Sequence, residues 1–137
     1  MTPNKQFLKT EIIFPGSLPG NNHGGSYTKK GIVGMHWRTY GKLKKQFTLI
    51  AMSCSRNRHS GPVRLELIRH STGSQMDRDN LISTGKLLID AIVAAGIIQD
   101  DKPAIIVESD YSQTKAINAK SQMTVIRILD IEDQILP

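Results

Sequence analysis

The sequence lacks the residues that most metal clusters and disulfide-bonded folds require. It has one cysteine, Cys54, so a disulfide framework and a thiolate metal cluster are both excluded. Without a neighbouring base, this cysteine is expected to be a small buried residue. Its four histidines are scattered without metal-ligand spacing, and we assign them no catalytic role. They are His23, His36, His59 and His70.

Long apolar runs are also missing, so the sequence offers no candidate membrane span. The first residues contain no apolar stretch of the kind found in signal peptides, and we expect a cytoplasmic protein. With 137 residues, the chain has the length of one domain, spanning 1–137.

Acidic residues are scarce in the first half of the chain. Residues 1–76 carry twelve lysines and arginines against two acids, a net charge of +10, whereas residues 77–137 carry six against ten, a net charge of −4. This imbalance is typical of a protein that binds a polyanion and does metal chemistry on it. An ordinary solvated surface with a high isoelectric point is the simpler alternative.

Hydrophobic periodicity and turn residues predict an α/β (α+β) fold, a small mixed sheet of about four strands flanked by two main helices. The predicted strands are 6–14, 63–70, 104–107 and 123–129, and the predicted helices are 35–53 and 79–95. Gly96 is a suitable residue to end the second helix. Residues 15–34 are rich in Gly, Pro, Asn and Ser, which indicates a long mobile loop. The stretch between the last two strands, with Lys115 and Lys120, is expected to be a polar loop.

The first predicted helix combines an apolar stripe with a basic face. Trp37, Tyr40 and Phe47 fall on one stripe at helical spacing, so we expect them in the core rather than as platforms for stacking bases. Cations recur on another face at Arg38, Lys42 and Lys45, with no acid among them to form helical ion pairs. That absence favours contact with phosphates.

The second predicted helix begins at an acidic motif. Asp77 and Asp79 lie at the junction of loop and helix, where an aspartate caps free backbone N–H groups. Capping explains one aspartate and leaves the other unexplained. Lys86 and Asp90 follow on roughly the side of Asp79, and a return strand can bring Asp101 beside them.

The chemistry of this motif favours a hard cation. Carboxylates without His or Cys partners are typical of Mg²⁺ or Mn²⁺ sites, in which a few protein oxygens, water and substrate phosphate complete the coordination. A nearby lysine adds positive charge where a phosphoryl transition state needs it. A calcium loop of the EF-hand type is excluded because position six from Asp77 is Ile82, not glycine.

The whole spaced set resembles the RusA family of Holliday-junction resolvases, particularly its phage-type members. The matching residues are Asp77-x-Asp79-Asn80-Leu81, Lys86, Asp90-Ala91-Ile92, Gly96 and Asp100-Asp101. Weaker agreement extends to the first strand, to the loop at 15–22 and to the last strand.

The resemblance implies a homodimeric metal-dependent endonuclease that makes paired nicks in a four-way DNA junction. It implies that Asp77, Asp79 and Asp101 bind Mg²⁺ or Mn²⁺ and that Lys86 assists phosphodiester hydrolysis. Supporting roles at the site fall to Asn80, Asp90 and Asp100.

One departure from the family concerns DNA binding. Some members carry an arginine-rich run before the first aspartate, whereas here residues 71–76 are Ser, Thr, Gly, Ser, Gln and Met. DNA contact is therefore expected elsewhere, at Arg38, Lys42 and Lys45 or at Arg56 and Arg58. Two alternatives stay open: a DNA-binding protein of the same fold that does not cut, and a protein-interaction domain whose aspartates are only caps and surface charges.

Overall fold

The structure is a computed structural model that describes residues 7–131. Gln6, the first residue of the predicted strand 6–14, therefore lies outside the described residues. The elements in chain order are β1 (Lys9–Pro15), α1 (Trp37–Cys54), β2 (Val63–Ser71), α2 (Arg78–Ala94), β3 (Ile106–Lys115), a short 3₁₀ turn (Ala119–Ser121) and β4 (Met123–Asp130).

The four strands form one mixed sheet in the order β1-β4-β2-β3. β4 pairs antiparallel with both β1 and β2, whereas β3 pairs parallel with β2. Parallel neighbours need a long crossover, and α2 supplies it between β2 and β3. The predicted fold class, a small mixed sheet with two main helices, is confirmed.

Both helices pack on one face of the sheet and enclose a single hydrophobic core. Alternate residues of the strands point into this core, as the period of a strand requires. From α1 the buried residues are Leu43, Phe47 and Ala51, and α2 contributes a broader apolar face. Phe14 and Tyr27 make edge-on contacts with the Phe47 ring, which joins α1 to β1 and to the loop after it.

The predicted strand at 104–107 is wrong in its extent. β3 runs from Ile106 to Lys115, so Lys115 ends a strand rather than lying in a loop. Because β3 is an edge strand exposed over most of its length, its residues show no alternating apolar pattern from which a strand could be read.

Two predictions about α1 are also wrong. Trp37 is 72% exposed and lies in the first turn, outside the buried stripe that the aromatics were expected to share. Cys54, expected in the core, is exposed because it is the last residue of the helix. Tyr40 is partly buried against the core.

Candidate functional site

The acidic motif lies at the beginning of α2, as predicted. Asp77 is the N-cap residue, and its side chain accepts a hydrogen bond of 2.9 Å from the backbone N–H of Asn80. Asp79 lies in the first turn and is exposed, where a negative charge is favoured by the helix dipole. At the other end, Gly96 adopts a φ of 79°, the left-handed conformation expected of a residue that terminates a helix.

Two turns along the same helix, Lys86 lies between two carboxylates. Its Nζ is 3.1 Å from Asp101 Oδ2 and 3.2 Å from Asp90 Oδ1. Tyr40 of α1 donates a hydrogen bond of 3.1 Å to the other oxygen of Asp90, so one cluster ties the two helices to the segment after α2. We call Lys86, Asp90, Asp101 and Tyr40 the lysine cluster.

The lysine cluster changes the protonation of its members. The hydrogen bond from Lys86 is the main cause that lowers the pKa of Asp101 below that of a free aspartate, and Asp100 adds to it. In return, hydrogen bonds to Asp101 and then Asp90 raise the pKa of Lys86. Asp100 Oδ1 also accepts from the backbone N–H of Asp101, which fixes the direction of the chain at this corner. The Asp101 carboxylate is therefore ionised at neutral pH.

The structure divides the predicted metal ligands between two places. Asp101 is in the lysine cluster, whereas Asp79 precedes Lys86 by seven residues, about 10 Å along the helix axis. Within residues 7–131, no group of three His, Cys, Asp or Glu side chains is arranged to hold a metal ion. The donor chemistry suits Mg²⁺ or Mn²⁺, since all three predicted ligands, Asp77, Asp79 and Asp101, are exposed carboxylates.

The loop at 15–34 is fastened to the start of α2. Asn80 Oδ1 accepts a 2.7 Å hydrogen bond from the backbone N–H of Asn21, and Thr84 Oγ1 donates one of 2.7 Å to the carbonyl of Pro19. The loop also carries its own backbone bonds, such as Gly20 to His23 and Ile32 to Gly20. This contact gives Asn80, which the sequence placed only in a supporting position, a defined partner.

A buried arginine behind the acidic motif was missed by the sequence reasoning. Arg69 is 5% exposed and donates to Gln113 and Ser71, and among the described residues its Nε has no partner. Gln113 in turn binds both the N–H and the carbonyl of Met76, each at 2.8 Å. These contacts hold the residue that precedes Asp77. No sequence signal marked them, because Gln113 fell in a stretch expected to be a loop.

A second network that the sequence did not indicate joins β1 and β4 to the segment after α1. His59 is buried, with Nδ1 2.7 Å from Asp130 and Nε2 2.7 Å from Thr10 Oγ1. Asp130 also accepts from the backbone N–H of Leu8. This network joins the start of β1 to the end of β4 and gives both ring nitrogens of the buried His59 a polar partner.

The predicted DNA-contact residues fall into two groups. Arg38, Lys42 and Lys45 are exposed along α1, the helix whose Tyr40 reaches the lysine cluster. Arg56 and Arg58 are exposed after α1, beside the end of α2, where Arg58 approaches the carbonyl of Gly96. Since α2 spans 17 residues, this second group lies about 25 Å from Asp77. The α1 group therefore lies closer to the candidate site than the group at Arg56 and Arg58.

A shallow cleft adjoins the lysine cluster. Its volume is about 250 Å³, and it lies between α2 and β3, with Lys86, Asp101, Ser109 and Tyr111 among the residues that line it. Gly85 lets Tyr111 approach the helix closely, since a Cβ there would come within 2.6 Å of the tyrosine ring. Burial raises the pKa of Tyr111.

Comparison with protein-family models and with curated proteins gives no match for this chain. Among the described residues, no helix is both long and apolar enough to cross a membrane.

Proposed function

We propose that this protein is a metal-dependent endonuclease that cuts branched DNA, with the four-way junction as its substrate. The observation that carries the proposal is the position of Lys86. Its Nζ is held between Asp90 and Asp101 on the exposed side of a helix that begins with Asp77 and Asp79. A cation surrounded by carboxylates, in a chain whose first half is strongly basic, suits phosphodiester chemistry.

In this proposal Asp77 and Asp79 bind Mg²⁺ or Mn²⁺ at the start of α2, and Asp101 joins them when its side chain leaves Lys86 and turns towards that end of the helix. Asn80 and Asp100 fix the backbone around these residues. The bound ion would activate water and stabilise the leaving oxygen. Lys86 places its ammonium group beside the phosphate, where negative charge accumulates during hydrolysis. Asp90, itself held by Tyr40, anchors Lys86 when the lysine moves away from Asp101.

The partner and its setting are part of the same proposal. Arg38, Lys42 and Lys45 contact the phosphate backbone from α1, and two copies of the chain bring two sites to the junction. We place the activity in the cytoplasm. The α1 cations position the substrate and carry no sequence information.

The proposal is tested by cleavage of a labelled four-way junction beside a linear duplex of the same sequence. Each is incubated with Mg²⁺, with Mn²⁺ and with EDTA. Paired nicks in the junction alone, abolished by EDTA, are the expected result. Asp79→Asn should lower the cleavage rate at least about 100-fold while DNA binding is retained, because the change removes a metal ligand and keeps the shape of the side chain.

Asp110→Asn is the matched control for Asp79→Asn. Asp110 is equally exposed but lies on β3 at a position paired with Glu66, on the sheet face away from the helices. It should cleave like the unmodified protein. Equal cleavage by the Asp79 and Asp110 variants would overturn the site assignment.

A second candidate function is a DNA-binding protein that does not cut. The observation that favours it is the ion pair of Asp101 with Lys86, since a carboxylate already neutralised by a lysine is less available to a metal. It predicts tight, salt-dependent binding of the junction, no nicks with either metal, and the same affinity for Asp79→Asn.

A further inference from the structure

The first turn of α1 exposes the largest aromatic side chain of the protein. Trp37 is the only tryptophan in the chain and is 72% exposed, although the same helix buries Leu43, Phe47 and Ala51. Burying an indole would stabilise the fold far more than leaving it in water. Its position in solvent leaves the indole available to a binding partner.

The neighbours of Trp37 extend it into a flat, cationic surface. The His36 ring stacks on it, with centroids 5.5 Å apart and planes inclined by 28°. The Arg38 guanidinium lies 5.2 Å from the centroid of the indole. His36 is also held in place, because its Nδ1 accepts the backbone N–H of Arg38. We call these three residues the stacking surface.

A basic cleft continues from the stacking surface. It has a volume of about 490 Å³, within the range of small-ligand sites, and His36 forms part of its lining. Lys29 and Lys30 of the loop before α1 line it as well, both exposed, and none of the described residues that line it is acidic. Aromatic rings beside cations, without any acid, are complementary to a nucleotide, whose base stacks while its phosphate meets the lysines.

We propose that the stacking surface binds an unpaired base of DNA, and that Lys29 and Lys30 contact the phosphates next to that base. The choice of DNA as the polymer rests on the proposed function. The inference adds to that function by naming the part of a branched substrate that contacts α1, an unpaired base. A base–aromatic stack is stronger than an exposed cation–π contact, so the base replaces Arg38 on the indole. The freed guanidinium then binds phosphate.

Because Trp37 is the only tryptophan, its fluorescence reports on this surface directly. The experiment adds a 12-nucleotide thymidine oligomer to the protein in EDTA at fixed salt. A second oligomer of the same length carries abasic sites in place of the bases and keeps every phosphate. The expected result is saturable quenching of Trp37 by the thymidine oligomer, and weaker binding without quenching by the abasic one.

Substitution separates stacking from charge. By fluorescence anisotropy of the labelled thymidine oligomer, Trp37→Ala should raise the Kd between about 5- and 150-fold, whereas Trp37→Phe should keep most of the affinity. Leu49→Ala is the matched control, since Leu49 is 67% exposed on the same helix and should bind normally. Circular dichroism establishes that each variant folds. If Trp37→Ala does not fold, quenching in the unmodified protein still decides the matter.

Binding of both oligomers with equal affinity and without quenching would overturn the proposal, as would no binding at all. Since the experiment runs in EDTA without cleavage, its outcome is independent of metal chemistry. Quenching by thymidine together with no cleavage of junctions would retain the stacking surface and refute the nuclease.

Discussion

The two helices pack on the same face of the sheet but differ in how their exposed charges are balanced. On α2, Lys86 is paired with Asp90 and Asp101, so its positive charge is compensated within a few ångströms. On α1, Arg38, Lys42 and Lys45 are exposed, and none has an ion-pair partner among the described residues. Tyr40 links the two surfaces through Asp90.

If the proposed function holds, this difference predicts different tasks for the two helices. Charges that neutralise each other locally attract a distant polyanion weakly, whereas a row of uncompensated cations attracts it strongly. We infer that α1 supplies affinity for DNA and α2 supplies chemistry. This division between the helices is testable, because the same number of cations can be removed from the unpaired set on α1 and from a set that is paired with acids.

The largest expected effect on binding of the junction comes from replacing Arg38, Lys42 and Lys45 together by Gln. Loss of three phosphate contacts should reduce the slope of log affinity against log salt by about three, with at least about a tenfold loss of affinity at low salt. The measurement is anisotropy of a labelled junction in EDTA, between about 50 and 200 mM salt.

The control for that variant removes three cations that are already paired with acids. Arg64, Lys102 and Arg127 form ion pairs with carboxylates, so their replacement by Gln should change the salt slope much less. If both triple variants lose the same slope, α1 has no special role and net charge alone governs binding.

The next effect concerns the lysine cluster. Lys86→Met should lower the cleavage rate at least about tenfold with little change in junction binding, because the lysine acts at the phosphate rather than in attachment. Stability at neutral pH should change little, since Lys86 is 62% exposed and exposed ion pairs contribute little. Lys102→Met is the control, because Lys102 is also exposed and, within residues 7–131, pairs only with Asp100. Equal loss of cleavage in both variants would remove Lys86 from the site.

The same variant should also change the acid titration of Asp101. Its pKa is lowered mainly by Lys86, so this carboxylate stabilises the fold above the ordinary aspartate pKa, and the contribution is lost as pH falls through the lower folded value. Lys86→Met should raise the pKa of Asp101, which NMR titration of the side-chain carboxyl measures. An unchanged titration would show that the ion pair is absent in solution.

Much of the fold could be predicted because local patterns agreed with it. α2 was recognised within one residue at each end, since an aspartate cap and a terminating glycine bound an apolar face. β2 and β4 are inner strands with strong apolar content, and they too were found. The prediction for β3 was too short because an exposed edge strand need not bury either face. Polar residues can therefore form such a strand, and they give no apolar pattern that predicts it.

The positions of the candidate residues along α2 could be predicted from the sequence, but not how side chains from separate segments meet. Spacing along α2 placed Lys86 near Asp90, and the structure confirms that contact. Whether Asp77, Asp79 and Asp101 share a metal stays a prediction, because it depends on side chains from separate segments. Contacts between distant segments, such as Gln113 with Met76, have no local pattern. The exposure of Trp37 was missed for a related reason, since helical periodicity does not say where the sheet beneath the helix ends.

The smallest expected effect comes from the bridge between the two helices. Tyr40→Phe removes one hydrogen bond to Asp90, which should lower the free energy of unfolding by about 0.5 to 1.5 kcal/mol. Burial, together with the charge of Asp90, raises the pKa of Tyr40, so the neutral phenol stabilises the fold at and below the ordinary tyrosine pKa. That contribution is lost as pH rises through the higher folded value. Urea unfolding at neutral and at alkaline pH should therefore show a smaller alkaline loss of stability for Tyr40→Phe than for the unmodified protein. Equal losses would mean that Tyr40 does not bridge the helices, and the lysine cluster would then act without support from α1.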